Sequence, residues 1–287
     1  MENEGQVSPR LIDVCLHTFR IHREDFIMKV IECVEAYKEH GDDLEFDHFS
    51  IILAKGTKIF RAHSARAYVL YQDIDIRDLD CPLVPFPPED LWPPFTNDFT
   101  HAPHPIPDNA FAKRPTFFNY HPETSAFKPR ELLLHEAHIC ELLRRHPHKN
   151  IASYLGCIND GGFITGLCSV KYEETLSDRL RDSSRPLNPY SCLMGVKEAL
   201  DHLHSLGLNH NDINPSNIML DKQDVPIVID FDSCQWEGEF LYSTGTPGWT
   251  DGTSYTSSER KNDDFVLKQL SKYLSQNTLV GHDWRDT

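Results

Sequence analysis

The stretch His210 to Asp232, HNDINPSNIMLDKQDVPIVIDFD, restricts the fold more than any other part of the chain. Two short apolar runs, Ile218–Leu220 and Ile227–Phe231, read as strands, and the polar residues Asp221–Asp224 between them read as a turn. Asp212, Asn217 and Asp230 therefore fall on loops beside short strands. Each alone is an ordinary turn residue, because Asp and Asn bond to their own backbone. Together they are the residue types that Mg2+-dependent phosphoryl transfer uses. A carboxylate at Asp212 can accept or orient a hydroxyl proton, while the amide of Asn217 and the carboxylate of Asp230 can hold a divalent cation on phosphates.

The rest of the chain divides by texture. From Ser8 to His40 apolar residues recur at roughly helical spacing, with Ser8-Pro9 as a start and Gly41 as a stop, which predicts one long helix or two short ones. Phe46–Leu53 and Ala67–Ile76 read as β, with Lys55-Gly56-Thr57 as a turn. From Pro82 to Pro129 prolines are dense, which forbids continuous helix or central strand and predicts an extended strap. The interleaved Phe86, Leu91, Trp92 and Phe95 predict that it buries its aromatics. Beyond it, Leu132–Arg145 and Tyr190–Ser205 predict amphipathic helices, and the runs on either side of Asn159-Asp160-Gly161-Gly162 predict a hairpin.

Composition narrows the function classes. With 28 Lys plus Arg against 44 Asp plus Glu the net charge is −16, which argues against nucleic-acid binding. A single nucleotide stays admissible, since one cation and a metal offset a few phosphates locally. The eight cysteines are scattered, with no C-x-x-C pair, and read as reduced thiols. No signal-like start and no membrane-length apolar run is seen, so the expected setting is intracellular, cytoplasmic or nuclear, with no membrane partner.

The string from His210 to Asp232 resembles the catalytic loop H-R-D-x-x-x-x-N and metal loop D-F-G of the protein-kinase-like superfamily. HEAHICELL resembles the helix that carries the ion-pairing glutamate, here Glu136, and NAFAKRP the strand that carries its lysine, here Lys113. GLCSVKYEETLSDRL resembles the strand and hinge whose backbone, near Lys171 and Glu173, meets adenine. GTPGW, Gly245–Trp249, resembles the end of an activation segment, and Asp263 the aspartate that ties down the catalytic loop. His210 and Phe231 would pack together toward the Glu136 helix, with Cys140 at the matching helix position. A-x-K-R-P and GLC-x-VKY are similar to divergent fungal protein-kinase-like proteins.

The resemblance implies a two-lobed α+β protein-kinase-like fold over residues 103–287, with a truncated helical C-lobe and a helical, proline-rich N-terminal extension over residues 1–102. It implies ATP and Mg2+ as cofactors: Asp212 and Asn217 catalytic, Lys113 and Glu136 the phosphate anchor and its partner, Asn217 and Asp230 the metal ligands. The acceptor would be a hydroxyl, on protein Ser/Thr in the leading reading, and the N-terminal extension is a candidate surface for a protein partner. Departures keep two rivals open. No glycine lies between Gly56 and Gly156, so the loop that covers the phosphates is missing. Asn211, Asn214 and Asp232 replace the family's arginine, lysine and glycine, and Asp251-Gly252-Thr253 stands where A-P-E would follow GTPGW. The rivals are a pseudokinase scaffold and a small-molecule kinase of the aminoglycoside or choline phosphotransferase type.

Overall fold

A computed structural model describes residues 28–40, 43–65, 79, 81–182, 184–243, 245–251 and 256–278. The chain forms two compact units that are not contiguous in sequence. The first takes the described residues within 28–95, 114–131 and 159–165, the second those within 96–113, 132–158 and 166–278. The architecture is α+β, as expected.

The first unit is built on an antiparallel sheet of β1 (Lys29–His40), β2 (Asp43–Lys55), β3 (Lys58–Ser64) and β4 (Val84–Pro85), in that order. Gly56, with φ 57°, turns β2 into β3 and aligns Lys55 with Lys58. This is the turn the sequence predicts. The helix expected over Ser8–His40 is corrected here: residues 29–40 are strand, and the earlier part of that stretch lies outside the described residues, as does Ala67–Ile76. Burial alternates through β1, with Glu32, Val34 and Ala36 inward. A carboxylate in the buried row hides the period of two from any reading of apolar residues alone.

The proline-rich strap does bury its aromatics. Phe86 and Leu91, the latter on the single-turn helix α1 (Pro88–Leu91), pack with Ile52 and Ile59 of the sheet and with Phe117 and Tyr120 from further along the chain. Trp92 Nε1 donates to Thr57 O at 2.7 Å.

In another sheet, β5 (Ala110–Lys113) pairs with β7 (Phe163–Val170), which pairs with β6 (Tyr154–Asp160). Lys113 ends β5 opposite Leu167. Among the described residues β5 has no second strand beside it. β6 is instead edged by Thr100–Ala102, through Cys157 N to Thr100 O (2.7 Å) and Ala102 N to Cys157 O (2.9 Å). Glu141 on α2 (Pro129–Arg145) fixes that edge by accepting Thr100 N at 2.7 Å and Thr100 Oγ1 at 3.0 Å.

The remaining elements are β8 (Glu174–Thr175), α3 (Leu176–Arg181), α4 (Pro189–Ser205), β9 (Leu208–Asn209), β10 (Ile218–Leu220), β11 (Pro226–Val228), β12 (Gln235–Trp236) and α5 (Arg260–Asn277). Asn188 starts α4 by accepting Ser191 N on its side chain, ahead of Pro189 at the first helical position. Leu200 and Leu203 of α4, Leu208, Ile213 and Ile218 are solvent-free, as is Leu270 of α5. The seven described cysteines are free thiols, five of them buried. No helix among the described residues is long and apolar enough to cross a membrane.

Candidate active site

Residues 210–217 leave β9 and return into β10, and the side chains of Asp263, Asn211 and His210 fix their path. Asp263, fully buried at the start of α5, accepts His210 N and Asn211 N, both at 2.9 Å, and pairs with His204 Nε2 at 2.8 Å. Asn211, in the left-handed region at φ 64°, donates from Nδ2 to Asn209 O, Ser233 O and Ser258 Oγ and accepts from Asn262 Nδ2. Asn tolerates that backbone better than a longer side chain and ties the loop to its surroundings without a cation. His210 donates from Nε2 to Ile229 O (3.1 Å), and its ring lies 5.6 Å from that of Phe231.

Asp212 emerges from this loop with its carboxylate shared. Oδ1 accepts Thr246 N at 2.7 Å and, more weakly, Asn214 Nδ2 at 3.4 Å; Oδ2 accepts Asn217 Nδ2 at 3.2 Å. Asn214 Nδ2 also reaches Thr246 Oγ1 at 3.1 Å. The sequence picks out GTPGW as a segment but not Thr246 as the residue that grips Asp212, because the contact spans 34 positions.

Asp230 sits just past β11 at φ 65°, a strained conformation for a non-glycine residue. Its Oδ1 lies 2.6 Å from Lys113 Nζ, and the same ammonium lies 2.7 Å from Glu136 Oε1 and 3.9 Å from Asp232 Oδ2. Lys113, Glu136 and Asp230 are thus brought together, and α2 is tied to the loop beyond β11 by Phe231 N to Glu136 Oε1 (3.4 Å) and His135 Nε2 to Cys234 O (2.7 Å).

One ammonium cannot neutralise three carboxylates. Burial would lower the pKa of Lys113, but Asp230, Glu136 and Asp232 overcome it and hold the group charged. Burial also opposes ionisation of Asp230, yet Lys113 keeps its carboxyl below the ordinary range. Glu136, the most enclosed of the three, is pushed up to about 7 by burial against the pull of Lys113.

Lys171 and Glu173 stand apart from this group. Both side chains are exposed, Lys171 N donates to Asn109 O (2.9 Å) and Glu173 N to Leu220 O (3.2 Å). Glu173 also lines a cavity of about 400 Å3 with Glu174, Arg185, Asp221 and Lys222.

The donor set suits a hard cation. Asn217 spends its amide nitrogen on Asp212, so an amide oxygen, a donor type that hard cations accept, is what it has left to offer, and Asp230 is a partly exposed carboxylate. Among the described residues no three His, Cys, Asp or Glu side chains form a cage, so a cation held here would need oxygens from elsewhere, such as phosphates.

The protein kinase domain family model matches residues 120–250. The likeness is to protein kinases. The matched stretch contains Glu136, Asp212, Asn217 and Asp230, while Lys113 and Asp263 lie outside it. Interleukin-1 receptor-associated kinase-like 2 of Bos taurus is 33% identical over 96 residues, 32% of this chain and 15% of the relative. The 2-5A-dependent ribonuclease of Mus musculus is 30% identical over 100 residues, 32% of this chain and 14% of the relative. Serine/threonine-protein kinase Tao of Drosophila melanogaster is 28% identical over 177 residues, 50% of this chain and 17% of the relative. The chain thus matches less than a quarter of each of these proteins. These matches support a likeness to the protein-kinase-like superfamily.

Proposed function

We propose that this chain binds Mg-ATP between Lys113 and the loop of Asp230 and passes the γ-phosphoryl group to a hydroxyl, with protein serine or threonine as acceptor. The observation that carries the reading is the ammonium of Lys113 held at 2.7 Å from Glu136 and 2.6 Å from Asp230. A cation fixed by two carboxylates is a preset phosphate anchor, and it needs no reorganisation when an anion arrives.

In this reading Lys113 takes the α and β phosphates and Glu136 keeps it extended. Asn217 and Asp230 would hold Mg2+, which when bound supplies charge neutralisation on the phosphates. Asp212 orients the acceptor hydroxyl and takes its proton as the new O–P bond forms, while Asn217 and Thr246 steady its carboxylate. The backbone from Lys171 to Glu173 would receive the adenine. Residues 103–287 would make up the kinase-like body, of the divergent fungal kind, and residues 1–102 a partner-binding extension, in an intracellular protein of cytoplasm or nucleus.

A scaffold reading draws on a specific observation too: β5 pairs with β7 alone among the described residues, so no hairpin closes over the phosphates from that side. The acidic Asp232 beside Lys113 is what the small-molecule phosphotransferase reading draws on. Titrating the purified chain with ATP and Mg2+ while following its melting temperature separates the first rival, because a scaffold gives no shift at millimolar nucleotide. Offering generic protein substrates beside hydroxyl-bearing metabolites separates the second.

A further inference from the structure

Within the first unit, His48 of β2, Arg61 and His63 of β3 and His121 of the segment 114–131 form one group of titratable side chains. The rings of His48 and His63 meet edge to face with centroids 4.6 Å apart, and Arg61 Nη1 lies 2.9 Å from His121 Nδ1. All four can carry positive charge. The carboxylate beside them, Asp47, is already bonded to His48 Nδ1 and to Lys38 Nζ, both at 2.7 Å. Glu32, which faces Arg61 from β1, spends its carboxylate on Phe117 N (2.8 Å) and Phe118 N (2.9 Å). Cys81 bonds only the backbone of His63, accepting from N at 3.0 Å and donating to O at 3.1 Å.

A guanidinium donates and never accepts. The nitrogen that Arg61 meets must therefore offer a lone pair, so His121 is neutral here and holds its proton on Nε2. A proton on Nδ1 removes the acceptor and sets two cations against each other. Arg61 has no room to withdraw: it is buried, its Nη2 donates to Phe117 O (3.1 Å), Phe118 O (2.9 Å) and Tyr120 O (2.7 Å), and its Cζ lies 5.1 Å from the centre of the Phe86 ring. His121 is exposed and free to move. With it goes a turn built on its backbone, where His121 O accepts Thr124 N (3.1 Å) and Ser125 N (2.9 Å) and His121 N donates to Ser125 Oγ (2.8 Å). Burial and then Arg61 hold the imidazole of His121 below its ordinary value. Burial does the same to His63, helped by His48, Arg61 and His121 and opposed by Asp47.

We infer that the Arg61–His121 contact is a pH-sensitive latch, closed at neutral pH and opened when His121 takes up a proton, so that the turn 121–125 comes away from β3 while Phe117–Tyr120 stay held. The latch is internal to the first unit and independent of the phosphotransfer reading.

Amide exchange of the full chain at pH 7.5 and pH 5 tests it, each rate being divided by that of an unstructured peptide at the same pH. In the parent chain protection of Thr124 and Ser125 should fall about tenfold at pH 5, the change expected on losing one hydrogen bond to a charged group. Tyr120 N, bonded to Phe117 O at 3.1 Å, should keep its protection. His121→Gln supplies an oxygen that accepts from Arg61 at either pH, and should stay protected at pH 5. His121→Lys places a permanent cation there and should be poorly protected at both. Because His121 is exposed, neither variant disturbs the core. Equal protection of the parent turn at the two pH values overturns the latch. So does an equal loss in the His121→Gln variant, which would assign the effect to Glu32, His48 or His63, and so does full protection of the His121→Lys variant at pH 7.5.

Discussion

Ile229 donates its backbone N–H to the carbonyl of Asn217 at 3.0 Å, and this bond sets Asn217 and Asp230 at the same end of the β10–β11 hairpin. It extends the ladder that pairs Ile218 with Val228 by one step. Two oxygen-bearing side chains separated by 12 intervening residues are thus placed by main-chain geometry, which holds a ligand set better than side-chain packing does.

Asp230→Asn should separate binding from folding. It leaves Lys113 with Glu136 as its partner, and because Asp230 is partly exposed the cost to the unliganded protein should be about 1 kcal/mol or less. The parent chain at a hundred times its dissociation constant for Mg-ATP should gain about 2.7 kcal/mol, and the variant almost none. Melting curves with and without Mg-ATP check this, and an equal ligand shift in both proteins would remove Asp230 from the metal site.

Asp212→Asn should do the reverse. The amide keeps the size of the side chain and one oxygen for Thr246 N, so nucleotide affinity should be close to the parent's. Loss of the proton acceptor should cut phosphotransfer by about 10²- to 10⁴-fold. Single-turnover transfer from labelled ATP measures it, and undiminished transfer would show that Asp212 is not the base.

How far these features are readable in the sequence depends on the range of the forces involved. The loops around Asp212 and Asp230 are legible because spacing, turn residues and short apolar runs are all local, and Leu132–Arg145 and Tyr190–Ser205 are legible because one face of each helix is apolar. β1 is not, because its inward row includes Glu32, whose partners Phe117 and Phe118 lie 85 and 86 positions away. The same distance hides the reason for the long gap from Lys113 to Glu136: its residues Phe117 and Tyr120 complete a core begun by Ile52, Ile59 and Phe86. Thr246 escapes notice because its role is played by a backbone N–H, which every residue but proline possesses.

Gly195 in α4 faces the strand that leads to Asp230. A Cβ there would lie 2.4 Å from Pro226 Cγ and 2.9 Å from Asn150 Nδ2, the atom that donates to Pro226 O at 2.7 Å. Gly195→Ala sets two effects against each other: about 1 kcal/mol gained in helix propensity and about 1–3 kcal/mol lost to overpacking. Since the first neighbour is a proline ring in β11, which has little freedom to yield, overpacking should win. A lower melting temperature together with weaker Mg-ATP binding is expected, and a higher melting temperature would mean that the helix closes without pressing on β11.

Glu32 and Glu136 should each contribute more to the stability of the folded state at mildly acid pH than at neutral pH. Burial raises each to about 7 from an ordinary 4.5, so between those values the native protein holds protons that the unfolded chain has released. The contribution of these two groups then falls as pH rises from about 4.5 to about 7 and levels off above, while His63, His121, His135 and His148, whose values burial lowers, add stability as pH rises toward their ordinary 6.5. Asp90 and Asp230, whose values are lowered, act in the opposite sense only in more acid solution, as they take up protons. Glu32→Gln keeps an oxygen for Phe117 N and removes one of the two titrations. Unfolding followed from pH 5 to 8 should therefore show stability falling more, or rising less, with pH in the parent chain than in the variant; equal slopes would mean that Glu32 is ionised in the folded state across the whole range.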